Sequence, residues 1–318
     1  MLKSTAFRYM KKKVFIIGNG FDLNLGWKTS YIDFLQSSFS PIHPSGSGSC
    51  PMEEFLAKKL EVERWYDLEC LLREYAAYGY ESHRKADPKD EKFFNELRSS
   101  LSEYIKEEGK EEINVDTLAV VVLKAILANG YFSSIYTFNY TNLHEIAQKV
   151  GIYSRFDFKH VHGNVDNNSI ILGVDSHSDL REGYAFLRKV NSEYYRSNHI
   201  RYDLQECDEV VFFGHSLGEM DYPYFRDFFY TQSHCVNRKE GKRITIFTKD
   251  NHSRIQIQEQ LRIMNEGETE HLQNDNEFNY VMTNSPNEAI VNEFLRHLRK
   301  DSVATRNAIS SNMVTFYP

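Results

Sequence analysis

The segment from His160 to Gly163 contains two histidines separated by one residue, with a glycine directly after them. Side chains two residues apart on a strand point to the same face, so both imidazoles are predicted to reach one site. Histidine exchanges a proton near neutral pH, and Gly163 leaves space for a sugar or a phosphate. The pair could instead bind a metal ion if Asp175 or His177 completes the ligand set.

A glycine loop follows the strongest strand signal in the chain, the apolar run from Val14 to Ile17, and it reads Gly18-Asn19-Gly20-Phe21-Asp22. Glycines allow a tight turn and a close approach to a ligand, and a helix after the loop offers N–H groups to phosphate. The third glycine of the dinucleotide fingerprint is replaced by Leu23. The loop therefore predicts a nucleotide site in which Asp22 either binds a ribose hydroxyl or caps the helix.

Two further predicted strands end in polar residues. The segment Thr137-Phe138-Asn139-Tyr140-Thr141 places an amide at a strand end, where it could hold a ribose hydroxyl and a water or simply close the strand. The segment Gly214-His215-Ser216-Leu217-Gly218 fits the nucleophile elbow of serine hydrolases. Pro223 disfavours the helix that an elbow needs directly after Ser216, so an esterase is only an alternative.

These motifs require a scaffold that brings strand ends together. Strands are predicted at 14–17, 132–138, 158–161, 170–172, 209–213, 243–248 and 279–283, and helices at 23–36, 53–80, 90–106, 116–127, 142–150, 180–197, 252–264 and 286–299. Strands that alternate with helices indicate a mostly parallel, Rossmann-like sheet with helices on both faces. Ligands of such sheets bind beyond the carboxyl ends of the strands, so the motifs should share one rim.

The length and composition are consistent with one α/β domain over residues 1–300. We expect a helical insertion at about 50–128, on which Trp65 and Glu69 share a helix face, and a tail over 301–318. The net charge of −7 provides no overall attraction to nucleic acid or to membranes. Four scattered cysteines and the lack of a long apolar run suggest a cytoplasmic protein with reduced thiols.

An ordered set of these residues resembles the signature of the AbiH family of phage abortive-infection proteins. The set comprises Ile17 to Leu23, Gly26, Lys28 to Tyr31, Trp65, Asp67, Glu69, Phe138 to Thr141, His160, His162 and Gly163. This resemblance implies a role in antiviral defence. It covers about residues 13–230.

The same order also resembles, at a distance, the pattern of the sirtuins, whose fold binds NAD. The matching positions are Gly18 and Gly20, Thr137 and Asn139, His162 and Gly163, and Gly214 and Ser216. This resemblance implies that the glycines and Ser216 hold the cofactor, that Asn139 lies beside the nicotinamide ribose and that His162 is the catalytic base. Thr137 and the loop residues Asn19, Phe21 and Asp22 complete the expected cofactor-binding set.

The departures from the sirtuin pattern narrow the expected chemistry. Asn19, Phe21 and Asp22 stand where sirtuins have small residues and a serine, and Thr141 replaces an aspartate. The zinc-binding cysteine pairs of the deacylating sirtuins are absent, so neither protein deacylation nor a metal cofactor is expected. The resemblance favours cleavage of NAD to nicotinamide and ADP-ribose.

The sequence thus leads to the hypothesis of an antiphage effector that hydrolyses NAD, the nucleotide being its substrate. We expect a homo-oligomer, a phage-derived trigger or partner protein, and no membrane partner. A module that senses NAD or ADP-ribose without cleaving it is an alternative. A metal-dependent nuclease that uses His160, His162 and Asp175 is another.

Overall fold

The structure, a computed structural model, describes residues 12–43, 48–62, 67–78, 86–234 and 241–299. The strands are β1 (Lys12–Ile17), β2 (Ser134–Thr137), β3 (Phe158–His160), β4 (Cys207–Phe213), β5 (Arg243–Thr248) and β6 (Glu277–Met282). Their order across one sheet is β3-β2-β1-β4-β5-β6, and every neighbouring pair is parallel. This is the strand order of a Rossmann-type sheet. It confirms the predicted fold class.

Helices account for most of the remaining chain. They are α1 (Gly20–Asn24), α2 (Tyr31–Leu35), α3 (Pro51–Val62), α4 (Leu68–Ala77), α5 (Pro88–Glu108), α6 (Leu118–Asn129), α7 (Leu143–Lys149), α8 (Ile200–Glu206), α9 (Tyr222–His234), α10 (Asn251–Met264), α11 (Thr269–Asn274) and α12 over residues 288–299.

Both faces of the sheet are covered by helices, as the continuous apolar run of β1 predicts. Phe15 and Ile17 point to the face covered by α6, α7 and α12, whereas Val14 and Ile16 point to the face covered by α8 to α11. All four side chains are fully buried. A parallel strand that is buried on both faces loses the usual alternation of apolar and polar residues.

The segment between β1 and β2 is mostly helical. Helices α2 to α5 pack into a separate core, which they share with the chain from about residue 165 to 187. Helix α6 instead packs on the sheet. This separately packed unit starts before residue 50 and ends with α5. The predicted tail lies outside the described residues.

Four predicted elements were wrong. The helix predicted for 53–80 is two helices, α3 and α4, because Asp67 has an extended backbone and caps the start of α4. The helix predicted for 23–36 is two short helices, because Gly26, with a φ of +98°, turns the chain between α1 and α2. The helix predicted for 180–197 is replaced by two 3₁₀ turns, Ala185–Leu187 and Lys189–Asn191, and Gly183 before them has a φ of +94°. Such values are incompatible with a continuous right-handed helix. The strand predicted for 170–172 is irregular chain.

Helices α8, α9 and α11 had not been predicted. Pro223, which was predicted to disfavour a helix directly after Ser216, occupies the first turn of α9. Proline is tolerated there because an N–H group in the first turn has no partner within the helix. A 3₁₀ turn over Glu219–Asp221 separates this helix from the end of β4.

Candidate functional site

A cavity of about 540 Å³ lies beyond the carboxyl ends of β1, β2 and β4. Ile17 is level with Thr137 on one side and with Phe213 on the other, so these strands end together. In the sheet, β2 lies on one side of β1 and β4 lies on the other, so the strand order reverses direction at β1. The cavity therefore occupies the crossover point at which Rossmann-type sheets bind ligands.

The two glycine loops form one wall of the cavity by packing backbone against backbone. The N–H of Gly18 donates to the carbonyl of Phe213 at 3.0 Å, and the N–H of Gly20 donates to that of Gly214 at 2.8 Å. A Cβ on Gly214 would lie 2.3 Å from the nitrogen of Phe21, and a Cβ on Gly18 would lie 2.5 Å from Cα of His215. The glycines are thus required for contact between the loops, and these two N–H groups are already used.

Asp22 lines the cavity and is almost fully buried. Its Oδ2 accepts a hydrogen bond from the hydroxyl of Thr141 at 2.8 Å, while its Oδ1 has no partner among the described residues. Burial raises the pKa of this carboxyl to about 7, against the smaller opposing effects of Thr141 and Asn139. Asp22 lies within α1 and Asn19 precedes the helix, so the predicted capping role for Asp22 was wrong.

Asn139 lines the cavity next to the first glycine loop and is 5% exposed. Its side-chain amide donates to the carbonyl of Gly18 at 3.2 Å, and its backbone N–H donates to the hydroxyl of Thr137 at 3.1 Å. Thr137 is fully buried and does not line the cavity. Its hydroxyl supports the turn that presents Asn139.

The structure separates the two histidines of the His160 to Gly163 segment. Strand β3 ends at His160, so the alternation that would place both side chains on one face stops there. His162 lines the cavity, whereas His160 lies outside it with its Nδ1 buried and without a partner among the described residues. Gly163 has a φ of +71° and packs against the backbone of Ser169.

A buried lysine, which the sequence analysis missed, lies behind His162. Nζ of Lys189 is 2.8 Å from Oε2 of Glu69, 3.3 Å from Oδ1 of Asp221 and 3.5 Å from Nε2 of His162. The side chain of Lys189 is 4% exposed. Lys189 reaches this position because its backbone N–H donates to Val174, which fixes the irregular segment after β3. No motif indicated this lysine, because it lies in a segment predicted to be a regular helix.

Asp221 connects the lysine with two histidines of the cavity. Its Oδ1 is 3.4 Å from Nε2 of His162, and its Oδ2 is 3.6 Å from Nε2 of His215. Burial lowers the pKa of His162 to about 3 and that of His215 to about 4, and the ammonium of Lys189 acts in the same direction. Both imidazoles are therefore uncharged at neutral pH.

Glu69 belongs to the insertion and completes this cluster. Asp67 caps α4, whose first turn carries Glu69, and Oε1 of Glu69 accepts from the N–H of Gly173 at 3.3 Å. Burial, together with repulsion from Asp221 and Asp67, raises the pKa of Glu69, and the ammonium of Lys189, 2.8 Å away, opposes this rise by favouring the carboxylate. Trp65, its expected neighbour, lies outside the described residues.

Most of the predicted site residues lie around the cavity: Gly18, Asn19, Gly20, Asp22, Asn139, His162, Gly214 and Ser216. Phe21, Thr137 and Gly163 do not line it. Phe21 is fully buried with its ring against Phe213 at a centroid distance of 5.3 Å, so its side chain belongs to the core.

The arrangement at Ser216 differs from that of a serine hydrolase. Ser216 is exposed at the cavity, and Leu217 after it has a φ of +54°. Nδ1 of the adjacent His215 accepts from the N–H of Leu217 at 3.0 Å. Among the described residues no histidine makes a hydrogen bond to the hydroxyl of Ser216, which a nucleophile and its base require.

The residues proposed for a metal site are also separated. Asp175 accepts from the N–H of His177 at 2.7 Å and from Ser178, and both Asp175 and His177 line a different cavity. Within the described ranges, no group of three side chains is arranged to hold a metal ion.

That second cavity, of about 1250 Å³, is larger but differs in character. Ion-paired side chains line it: Arg73 pairs with Glu219 at 2.6 Å, and Arg201 pairs with Asp227. Of the described residues in the four strand-end motifs, none lines it. We therefore regard the smaller cavity as the candidate functional site.

The fold and the site together define a Rossmann-type α/β protein with a cavity at the crossover point of its sheet, lined by both polar and apolar side chains. Residues 14–239 match the family described as bacteriophage abortive infection AbiH, and the chain belongs to this family. The predicted family resemblance is thereby confirmed. No curated protein matches the chain significantly.

Two solved structures of sirtuins are similar to the chain. A Sir2 homologue in complex with NAD is 12% identical with a TM-score of 0.38, over 92% of this chain and 91% of that one. A structure described as the structural basis of sirtuin substrate affinity is 14% identical with a TM-score of 0.33, over 91% of this chain and 93% of that one. Among the described residues, no helix has the length and apolar character needed to cross a membrane.

Proposed function

We propose that this AbiH-family chain is an antiphage abortive-infection effector that binds NAD and hydrolyses its bond to nicotinamide. The observation that carries the proposal is the cavity at the crossover point, where two glycine loops meet Asn139 and His162. This is the position at which sheets of this strand order bind nucleotides. The ordered resemblance to the sirtuin motifs supports NAD as the ligand.

The roles of Asn139 and His162 follow from their chemistry. The Asn139 amide can donate and accept, so it can orient a ribose hydroxyl and the attacking water. His162 is uncharged at neutral pH because its pKa is lowered, so its ring can accept a hydrogen bond from the attacking water. Asp22, with a pKa raised to about 7, is the better proton acceptor. That value is close to the pH at which general bases are most effective.

The proposed reaction requires only water as a second substrate. The bond from C1′ of the ribose to the pyridinium nitrogen breaks, and its electron pair goes to nitrogen, giving neutral nicotinamide. The remaining sugar passes through an oxocarbenium-like state, as in glycoside cleavage. Water adds to C1′ and loses a proton to the base, which yields ADP-ribose.

Nicotinamide release from NAD by the purified chain tests this proposal. We expect Asn139→Ala and His162→Ala each to lower the rate by roughly 10²-fold or more, the usual scale for losing an acid–base group or its partner. Matched controls are Asn292→Ala and His271→Ala, since both residues are exposed and neither lines the cavity. Full activity in both cavity variants would contradict the assigned roles.

A sensor that binds NAD or ADP-ribose without cleavage is the second candidate. The observation that favours it is the ammonium of Lys189 at 3.5 Å from Nε2 of His162, which disfavours protonation of this ring during catalysis. Calorimetric binding of NAD without nicotinamide release, also in infected-cell extract, would support the sensor. Release that disappears in His162→Ala would support the enzyme.

The antiviral part of the proposal is tested in cells. Expression of the chain should lower the number of phage plaques, and Asn139→Ala should remove this protection while Asn292→Ala retains it. A homo-oligomer and a phage-derived trigger remain part of the proposal. Light scattering before and after addition of phage lysate tests the oligomeric state, and an unchanged monomer in both conditions would contradict it.

A further inference from the structure

The charges around the candidate cavity are strongly one-sided. Its lining includes the carboxyl groups of Asp22, Asp67, Glu69 and Asp221, and the exposed carboxylate of Glu259, which pairs with Arg262 at 2.6 Å. Among the described residues, no lysine or arginine lines it. The two histidines in the lining are uncharged, because burial lowers the pKa of His162 to about 3 and that of His215 to about 4.

Lys189 compensates only part of this negative charge. It lies behind the cavity wall, where its single ammonium contacts both Glu69 and Asp221. Asp22 has no cationic partner: Oδ2 bonds to the hydroxyl of Thr141, and Oδ1 is buried without a partner in the described part of the chain. The inner wall thus contains one buried carboxyl group, that of Asp22, which no cation among the described residues neutralises.

We propose that the cavity selects a ligand whose buried end is cationic and flat, a pyridinium nucleoside. The inference rests on the proposed function, in which the oxidised nicotinamide ring of NAD is that cation. A buried carboxylate without a cationic partner, such as that of Asp22, attracts a cation much more strongly than it would in water. The same carboxylate favours the oxocarbenium charge that forms at C1′ when nicotinamide leaves.

A second consequence concerns protons. Asp22 is faced by Thr141 and Asn139 and by no charged side chain that alters its pKa of about 7. A pyridinium placed beside it should lower that pKa, so Asp22 should release a proton when the ligand binds near pH 7. A neutral ring of the same shape should release none.

The experiment compares carba-NAD, an uncleavable analogue with a pyridinium ring, with its reduced form, whose ring is uncharged. We expect calorimetry at pH 7 to give about tenfold tighter binding of the oxidised form, which corresponds to a shift of one pKa unit in a nearby group. Titrations in two buffers of different ionisation enthalpy should detect proton release with the oxidised form alone. The protein used is the full chain.

Two variants test whether Asp22 in the cavity wall causes the preference for the oxidised ligand and the proton release. Asp22→Asn keeps the shape of the side chain but removes its charge, so it should abolish the proton release and reduce the preference by about threefold or more. Asp275→Asn is the matched control, because Asp275 is exposed and outside the cavity. It should leave both quantities unchanged.

Two smaller ligands test the two ends of the dinucleotide one at a time. Nicotinamide riboside carries the cation and no phosphate, whereas ADP-ribose carries the diphosphate and no pyridinium. Binding of ADP-ribose with the affinity of carba-NAD, or equal binding of the two carba-NAD forms, would overturn the charge selection and leave the proposed nucleotide site intact. No binding of any of the four compounds would instead contradict the proposed function itself.

Discussion

Nζ of Lys189 and Oε2 of Glu69 lie 2.8 Å apart, and the two side chains are only 4% and 8% exposed. This buried ion pair joins the irregular segment after β3 to α4 of the insertion. It therefore connects the part of the chain that forms the sheet with the part that covers the cavity. The pair also explains why a lysine can be buried here, because burial alone would lower its pKa whereas Asp221 and Glu69 raise it.

Lys189→Met should destabilise the fold strongly, because it leaves Glu69 and Asp221 buried without a cation. Removing one partner of a buried ion pair typically costs about 3–5 kcal/mol. The double variant Lys189→Met with Glu69→Gln removes charge from both sides and should recover part of this loss. Urea unfolding at pH 7 measures both. Equal stability of the single and double variants would contradict the proposed coupling.

Asp22→Asn should stabilise the fold, and the gain should grow with pH. The pKa of Asp22 is raised from 3.8 to about 7, so the folded state holds this proton more tightly than the unfolded state. The wild-type protein therefore loses stability as the pH rises above the pKa of Asp22 in the unfolded state. The loss is complete above the pKa of Asp22 in the folded state. A shift of this size corresponds to roughly 4 kcal/mol at most. The unfolding curves of the wild-type protein and of Asp22→Asn should differ only slightly at pH 4 and clearly at pH 8. An equal gain in stability at both pH values would contradict the assigned pKa.

Gly214→Ala should disrupt the contact between the two glycine loops. The residue has a φ of +67°, and a Cβ there would lie 2.3 Å from the nitrogen of Phe21. Gly130→Ala is the matched control, since Gly130 has a φ of +56° but no atom within 4 Å of its Cβ position. The control should lose roughly 1–2 kcal/mol, the cost of the left-handed conformation. Gly214→Ala should lose clearly more and should also weaken nucleotide binding.

If urea unfolding shows no difference in stability between Gly214→Ala and Gly130→Ala, the two glycine loops can separate without destabilising the fold. The backbone contact would then not define the cavity wall.

The rate of nicotinamide release should rise with pH through about 7, as Asp22 loses its proton. His162 should contribute no step between pH 5 and 8, because its pKa is lowered to about 3 and the ring stays uncharged over this range. In Asp22→Asn the profile of kcat/KM should become flat. A step near pH 6.5 that persists in this variant would contradict the neutral state of His162.

The sequence predicted the architecture well where local patterns are strong. Strand β5 was predicted with the bounds that it has, and the apolar run of β1 indicated burial on both faces. The segment 180–197 was mispredicted because tertiary hydrogen bonds, such as Lys189 N–H to Val174, replace the helical pattern. The two histidines were predicted to act together because the sequence does not reveal that β3 stops at His160.

The sequence by itself determined the parallel sheet, the order of its polar strand ends and hence the rim at which Gly18, Asn139, His162 and Gly214 assemble. These features depend on local hydrophobicity and on the chemistry of short motifs. Only the tertiary structure decided that Lys189, Glu69 and Asp221 form one buried cluster, because the three residues come from separate segments that pack together. It also decided that the glycines bring two backbones into contact, since such close approach depends on long-range packing and not on the loop alone.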